Sequence, residues 1–549
     1  MIQTCDFPVS LNARPLIHIV PTVDSTRAAG ILAGSLTGIT GVEFPVGNEQ
    51  AETDQDASGP PGGQIVFQKS DHLGRDGFSY SAKDGLLIIK AGTEQAFVYA
   101  VYDLLEQAAG SRFYTQTETD LPATPDLTLK VTPRVSQPKL QYREVYYQGF
   151  ADQSFSEKHK MTPSGKHEGW GFWCHSFQML IPNETYFASH PEYFALIDGK
   201  RHPQGQPCLS HPQVFAIVRD ALRRYIQERP ECRYWSVSQN DDDRYCRCPD
   251  CARQDAIDGG PMGSLLTFVN QIAAEFPDQI ISTLAYWYSR KAPRVTRPAP
   301  NVHIMLCNIE ALRGLPIATD PRNEGTLQEL LDWERICGNI SLWDYCIQFA
   351  NLVSPFPNLR VLGPNIRFFV EHHVTMLFSQ ANREIGGEFS ALRGYLLAKL
   401  MWDPAIDERA VMEDFCHGYY GAAAPSVLAY IDSLHDAMEE TGGQAGIFEG
   451  PKNHKDTYLS HDRVKAYSLL FDQAEQAVAD DPVRLFRVQV DRLPIRYAAL
   501  VLQYGSIEER LDHLRHFAAT ARKSGLQKVE EWKVTVDQFV TDSLAALAG

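Results

Sequence analysis

No stretch of this 549-residue sequence approaches the ~20 consecutive apolar residues that a membrane-spanning helix needs, so no membrane partner is expected. Basic residues are outnumbered, 51 Lys and Arg against 68 Asp and Glu, and they nowhere cluster. With a net charge of -17 the chain disfavours a phosphate backbone, and no nucleic-acid partner is expected. There is no H-E-x-x-H or comparable His-rich pattern to hold a hydrolytic zinc. The opening "MIQTCDFPVSLNARPLIHIV" lacks both a basic n-region and a continuous apolar stretch. It predicts a cytoplasmic protein, the alternative being a secreted or periplasmic one whose leader has been trimmed. The eleven cysteines are odd in number and mostly scattered, and Cys307 and Cys346 close apolar runs. Reduced core thiols suit that pattern better than a disulfide framework. No internal repeat or low-complexity tract occurs.

What is present is the composition of a globular enzyme, 44% hydrophobic and 11% aromatic, in a chain too long for one simple core. Three units are expected. Residues 1–134 read as a small α+β unit: alternating runs flank an Asp84-Gly85 turn, and Ala96, Val98, Tyr99, Val101, Leu104 and Leu105 then recur at helical spacing. Within it, the polar, Gly- and Pro-rich stretch 47–63 reads as a loop. A Pro-punctuated connector leads to residues 135–405, where short apolar runs alternate with helical patterns such as "PQVFAIVRDALRRYIQE" and "SLLTFVNQIAAEF". Eight strands are predicted, at 143–149, 173–177, 207–210, 234–239, 281–287, 302–307, 340–345 and 374–380. That alternation predicts a parallel sheet, and eight such strands over about 250 residues predict an α/β (β/α)8 barrel of the TIM type. Residues 406–549 carry only helical periodicity, as in "APSVLAYIDSLHDAMEE", and are expected to form a helical domain packed on the barrel.

In such a barrel, chemistry sits where strands end. The residues closing the apolar runs are rich in acids and aromatics: Asn240, Asp241, Asp242 and Asp243 after the fourth, Trp343, Asp344 and Tyr345 at the seventh, Tyr286 and Trp287 at the fifth. Glu144, His175, Asn308, Glu310 and Gln380 close others, with Glu388 shortly after. Together they suggest sugar. A pyranose offers C–H faces to aromatic rings and hydroxyls to carboxylates and amides, and breaking its glycosidic bond needs a proton for the leaving oxygen. Two adjacent acids can raise one pKa and keep that group protonated near neutral pH. The competing account of "NDDD" is an Asn/Asp-rich turn or helix cap, that of "WDY" a core Trp and Tyr beside a surface Asp, and that of His175 a structural hydrogen bond.

Cys246, Cys248 and Cys251 form C-x-C-x-x-C, close enough to share one ion. A structural zinc takes four ligands, and Cys208 is the candidate fourth; a closed set would brace the loop and do no chemistry. Free thiols or one disulfide are the alternative.

With those residues in view, the sequence resembles the DUF4838 family, which includes glycoside hydrolase family 163. The segments that carry the resemblance include "HPEYFALIDGKR", "QPCLS", "WSVSQNDDDRYCRCPDC", "TLAYWYSRKAP", "NVHIMLCNIE", "ISLWDYCIQFANLVSPFPNL", "GEFSALRGYLLAKLMWDP" and "FCHGYYG", over roughly residues 140–420. The first unit is similar to the non-catalytic domain that precedes the barrel in hexosaminidases and α-glucuronidases. The resemblance implies a β-N-acetylglucosaminidase, endo-acting on the chitobiose core of complex N-glycans, with a glycan or glycoprotein as partner and no cofactor for catalysis. It also implies a retaining mechanism in which the substrate's 2-acetamido oxygen attacks C1 to give an oxazoline. By that carry-over Asp241 and Asp242 take the polarising and acid roles, in either order, and Asn240 supports the acetamido group. Tyr286, Trp343 and Tyr345 form the sugar wall, with Asp344 and Glu388 as binding or alternative acid residues, and His175 is a further substrate-binding candidate. The pair is Asp-Asp here where hexosaminidases of similar layout usually have Asp-Glu. The same domain order also suggests an α-glucuronidase-like enzyme using Arg143, Arg290 or Arg367, and the aromatics alone would fit a carbohydrate-binding barrel without catalysis.

Overall fold

The structure, a computed structural model, describes residues 3–47 and 63–548. The loop expected over 47–63 lies outside the described residues except at its two ends.

The first part of the chain builds a five-stranded sheet in the order Arg134–Ser136, Phe78–Lys83, Leu86–Ala91, Gly63–Lys69, Ile17–Val20. Its hairpin turns at Asp84 and Gly85, both at positive φ (49° and 76°), as a two-residue turn matched to the strand twist requires. The helix Glu94–Ala108 starts where the Thr93 hydroxyl accepts the Ala96 N–H at 3.1 Å, and its expected apolar stripe is buried against the sheet. Trp402, from the helix Ser390–Trp402, enters this core and stacks on Phe78 with ring centroids 5.7 Å apart. Arg143 donates to Asp76 at 2.7 Å, so the sheet is tied to the strands that follow.

Seven strands then form one parallel sheet: β1 (Tyr142–Val145), β2 (Trp170–Phe172), β3 (Tyr234–Ser236), β4 (Ile280–Ala285), β5 (Val302–Cys307), β6 (Ile340–Tyr345) and β7 (Val374–Gln380). Their spatial order is β1-β7-β6-β5-β4-β3-β2, with every pairing parallel. All C-terminal strand ends therefore share one rim. The last three strands have the bounds expected from sequence.

The third of the eight expected strands is corrected: residues 207–210 form none. Pro207 has no N–H for a ladder and makes only an isolated bridge to Phe194, while the Cys208 N–H is taken by the Tyr193 carbonyl at 2.8 Å. The second strand lies at 170–172 instead of 173–177, because the chain turns at His175 (φ 39°) and winds into the short helix Phe177–Leu180. The first stops at Val145, before the single turn Gln148–Ala151.

Between β1 and β2 no backbone ladder closes the sheet, and side chains cross the seam instead. Glu144, fully buried, accepts from the Gly165 N–H at 2.8 Å and the Ser164 hydroxyl at 3.1 Å, and meets His167 Nδ1 at 3.2 Å. The His167 ring stacks on Trp173 at 4.2 Å, and Trp173 reaches Tyr142, Phe378 and Trp343 inside the curled sheet. On β2, Gly171 has no room for a side chain, since a Cβ there would sit 2.1 Å from the Trp235 ring.

Helices make up most of the chain after β7. The buried residues of Glu408–Tyr420, Ala424–Glu440 and His461–Ala477 belong to the same apolar cluster as the sheet, and a second cluster joins Leu493, Phe517 and Val536. Among the described residues no helix is long and apolar enough to cross a membrane. All eleven cysteines are free, Cys307 and Cys346 among the buried ones.

Gly171→Ala should destabilise the protein by about 3 kcal/mol through overpacking against a large, fully buried ring. Thermal melting checks this; an unchanged melting temperature would contradict the packing at β2.

Candidate functional site

Beyond β3 the chain stays extended through Gln239, with the Val237 N–H donating to the Ser282 carbonyl at 2.8 Å, and then turns at Asn240. Gln206, itself buried, holds that turn. Its Oε1 accepts the Asn240 N–H at 3.0 Å, and its Nε2 donates to the carbonyls of Asn240 (3.0 Å) and Asp242 (3.2 Å). The Asn240 side-chain oxygen accepts the Gln178 N–H at 3.0 Å. Asp242 bends the chain back on itself, accepting from the Arg244 N–H at 2.9 Å and from its guanidinium at 3.2 Å. Asp241 points away from these partners and accepts the Tyr286 hydroxyl at 3.1 Å.

Two clefts meet at this tip. The inner one, about 370 Å³, is lined by Tyr286, Trp287, Trp343, Tyr345 and Phe349. The outer, about 740 Å³, carries Gln178, Asn183, Glu184, Gln204 and Arg244 alongside Asn240 and Asp242, with Phe187, Ala188 and Pro203 completing its lining. His175 and Asp241 line both. The His175 Nδ1 lies 2.7 Å from the Gln239 carbonyl, which can only accept, so Nδ1–H donates there and Nε2 is left free of that bond. Burial and the neighbouring charge of Asp241 push the Tyr286 phenol well above its usual range, so it remains a donor. Trp343 is fixed at the inner cleft by its N–H, which donates to Gln380 at 3.0 Å.

The site residues named from the sequence thus fall into two groups. Asn240, Asp241, Asp242, His175, Tyr286, Trp343 and Tyr345 come together around the two clefts. Asp344 and Glu388 line neither. Asp344 is buried, accepts from Asn308 at 2.8 Å and lies 3.7 Å from Arg313; burial raises its pKa, against the pull of that guanidinium. Glu388 is buried in an ion pair with Arg393, and burial raises its pKa too.

Sequence reasoning missed one wall of the inner cleft. Phe448, Glu531 and Trp532 line it from far down the chain. Trp532 stacks on Phe349 (5.6 Å, 18°), which also meets Tyr345 at 5.7 Å and Phe448 at 6.3 Å. The segment is pinned by the Leu352 N–H to the Val529 carbonyl at 2.9 Å and by Lys528 to Glu384 at 2.7 Å. The signals available were single aromatics beside acids in breaks between helical runs, "GIFEG" and "VEEWKV". Burial, then the nearby Glu384, raises the Glu531 carboxyl from 4.5 to about 7 against Lys528, and one of its oxygens is buried without a partner.

A separate donor set adjoins the outer cleft. The sulfurs of Cys208, Cys246, Cys248 and Cys251, all buried, lie within 4.8 Å of one another, a spacing that fits one thiophilic metal ion.

A family model described as "Domain of unknown function (DUF4838)" matches residues 113–432, more than half of the chain. A search of curated proteins finds no match. Among solved structures the chain is similar to CpGH84B, at 9% identity and a TM-score of 0.47, covering 99% of this chain and 98% of that one. It is similar also to a GH138 enzyme targeting pectin rhamnogalacturonan II, at 11% identity and a TM-score of 0.48 over 97% and 98% of the two chains. A GH20 exo-β-N-acetylglucosaminidase from Vibrio harveyi, in complex with N-acetylglucosamine, follows at 10% identity and a TM-score of 0.42 over 75% and 74%.

Raising the pH from 4.5 to about 7 should cost stability at Glu531: the folded chain keeps its proton there while the unfolded chain releases it. Glu531→Gln removes that penalty, so the variant should melt a few degrees higher than wild type at pH 8 and no higher at pH 4. Melting curves across that range decide it; parallel pH profiles for the two proteins would contradict the burial of this carboxyl.

Proposed function

The chain belongs to the DUF4838 family, and we propose that it is a glycoside hydrolase that cleaves β-linked N-acetylglucosaminides where its two clefts meet. One observation carries this reading: an adjacent pair of carboxylates stands at the boundary between an aromatic cleft and a wider one rich in amide and charged side chains, with Asp241 facing both and Asp242 facing the outer. A binding surface needs the aromatic wall but has no use for two adjacent ionisable groups where its two clefts meet. A hydrolase needs both, one group to stabilise the reacting sugar and one to serve the leaving oxygen.

The motifs of the chain resemble glycoside hydrolase family 163, and that resemblance supports the finer reading of substrate-assisted, retaining, endo-acting hydrolysis of complex N-glycans. The reacting N-acetylglucosamine would occupy the inner cleft against Trp343 and Tyr345. Its own acetamido oxygen attacks C1 as the bond from C1 to the leaving oxygen breaks, and the tethered attack draws its rate from proximity. Asp241, on the inner side, holds the acetamido N–H and stabilises the positive charge that develops on the forming ring, with the Tyr286 hydroxyl beside it. Asp242, on the outer side, gives its proton to the leaving oxygen. It then takes one from the water that opens the oxazoline at C1, restoring the acid and retaining the anomeric configuration. Asn240 keeps the tip in register through its own bonds to Gln178 and Gln206.

A uronate-binding reading finds less support. Arg143 is committed to Asp76, Arg290 to Glu310 and Glu329, and Arg367 to Glu408.

The role assignment makes the two aspartates separable. On an alkyl or glycan N-acetyl-β-glucosaminide, Asp241→Asn and Asp242→Asn should each lower kcat/KM by about 10²- to 10⁴-fold. On a dinitrophenyl glycoside, whose leaving group needs no proton, Asp242→Asn should recover to within about tenfold of wild type while Asp241→Asn stays impaired. Wild-type rates in both variants would end the hydrolase reading, and the reverse rescue pattern would exchange the roles. Mass spectrometry of a complex N-glycoprotein after incubation tests endo-action: an intact glycan is released and one N-acetylglucosamine stays on the protein. Loss of single terminal sugars would mark an exo-enzyme instead.

A further inference from the structure

The four-cysteine cluster sits outside both clefts, and its construction differs from that of a set of stray core thiols. Three of its sulfurs come from a tight turn and the first residues of the helix Pro249–Asp258; the fourth, Cys208, comes from a loop some forty residues earlier. One pair, Cys208 and Cys248, stands 3.6 Å apart, far beyond a disulfide bond yet close to the spacing of sulfurs about 2.3 Å from a common centre. Four neutral thiols packed this way would bury weak hydrogen-bonding groups against one another for little return.

The surroundings suit bound thiolates. The Leu196 N–H donates to Cys246 at 3.4 Å, and Arg201 approaches the same sulfur at 3.9 Å. The Ser210 hydroxyl stands 3.4 Å from Cys248 and 3.3 Å from Cys251. Cys248 caps the helix Pro249–Asp258, whose N-terminal dipole favours negative charge. Four thiolates around a divalent ion leave a net charge of -2, and these donors and the arginine offset it. The set is all sulfur and closed, with no position left for a reacting water, which is the pattern of a structural zinc rather than a catalytic one.

We infer that Cys208, Cys246, Cys248 and Cys251 bind one structural zinc ion, and that this ion holds the acidic tip at the rim of the sheet. The coupling runs through two strands of chain. Gln206, two residues before Cys208, makes the side-chain bonds to Asn240 and Asp242, and its own N–H donates to the Arg244 carbonyl at 3.0 Å. On the other side, the Arg247 N–H donates to the Leu196 carbonyl at 2.9 Å. The ion would join the loop that clamps the tip to the segment that continues from it, replacing the backbone ladder that residues 207–210 do not form. On binding, the thiols release their protons to solvent, so the site fills more readily as pH rises.

Metal content of the full-length chain, purified without chelator, is the test. One equivalent of zinc per chain is expected, falling below about a tenth in Cys251→Ser and staying complete in the control Cys5→Ser, whose cysteine lies outside the cluster. Cobalt substituted for zinc should show intense thiolate-to-metal charge-transfer absorption with tetrahedral d–d bands. Hydrogen exchange of the amides from 240 to 247 should quicken about tenfold or more when zinc is withdrawn from the wild-type protein, a readout that needs neither a folded variant nor any activity. A chain without metal, one loaded with iron, or tip amides indifferent to zinc removal would each overturn the inference. None of these outcomes depends on whether the glycosidase reading is correct.

Discussion

Closing a parallel sheet that is one strand short is the constraint on which the rest of this structure depends. An eight-stranded barrel closes by backbone hydrogen bonds all the way round. Here β1 and β2 are left facing each other unpaired, and the work passes to Glu144, His167 and Trp173, which fill the seam with a buried carboxylate and stacked rings. Because that plug sits inside the sheet, it also meets Trp343 and Phe378, so the floor beneath the inner cleft and the closure of the sheet are one packed body. The segment around 193–211 stays outside the parallel sheet, pairs only with itself in a short antiparallel ladder, and clamps the tip of β3.

Much of this is legible in the sequence, and for a physical reason in each case. β5, β6 and β7 are buried on both faces, so they read as continuous apolar runs with clear ends, and their expected bounds match the structure. The acidic tip stands out because three consecutive acids directly follow a strand-like run. The Asp84-Gly85 turn is local chemistry and is equally plain. The third expected strand fails because "QPCLS" is a run of small and sulfur-bearing residues that packs for a different purpose, around other cysteines. Glu388 reads as a cleft residue because its partner Arg393, one helical turn further on, declares itself only once the helix is folded. Asp344 hides behind Arg313 for the same reason. The wall at 448 and 531–532 is a contact between regions far apart in the chain, Phe349 meeting both Phe448 and Trp532, and periodicity carries no information about it.

The aromatic stack Phe448–Phe349–Trp532 gives the C-terminal region a part in the pocket that its helical pattern does not advertise. Three regions of chain therefore meet at one cleft: strand ends supply the acids and the floor, the loop after β6 supplies Phe349, and the late segments supply the outer rings and Glu531.

That arrangement sets an order of appearance during synthesis. As the chain leaves the ribosome, the strands and their acidic tip emerge well before the late segments that complete the inner cleft. The ring and carboxyl at 532 and 531 emerge much later and have nothing to lean on until Phe349 is already in position. The newborn sheet therefore carries its carboxylates beside a pocket that is still open on one side. The inner cleft is completed last, with the segments around 448 and 531–532 acting as the latch.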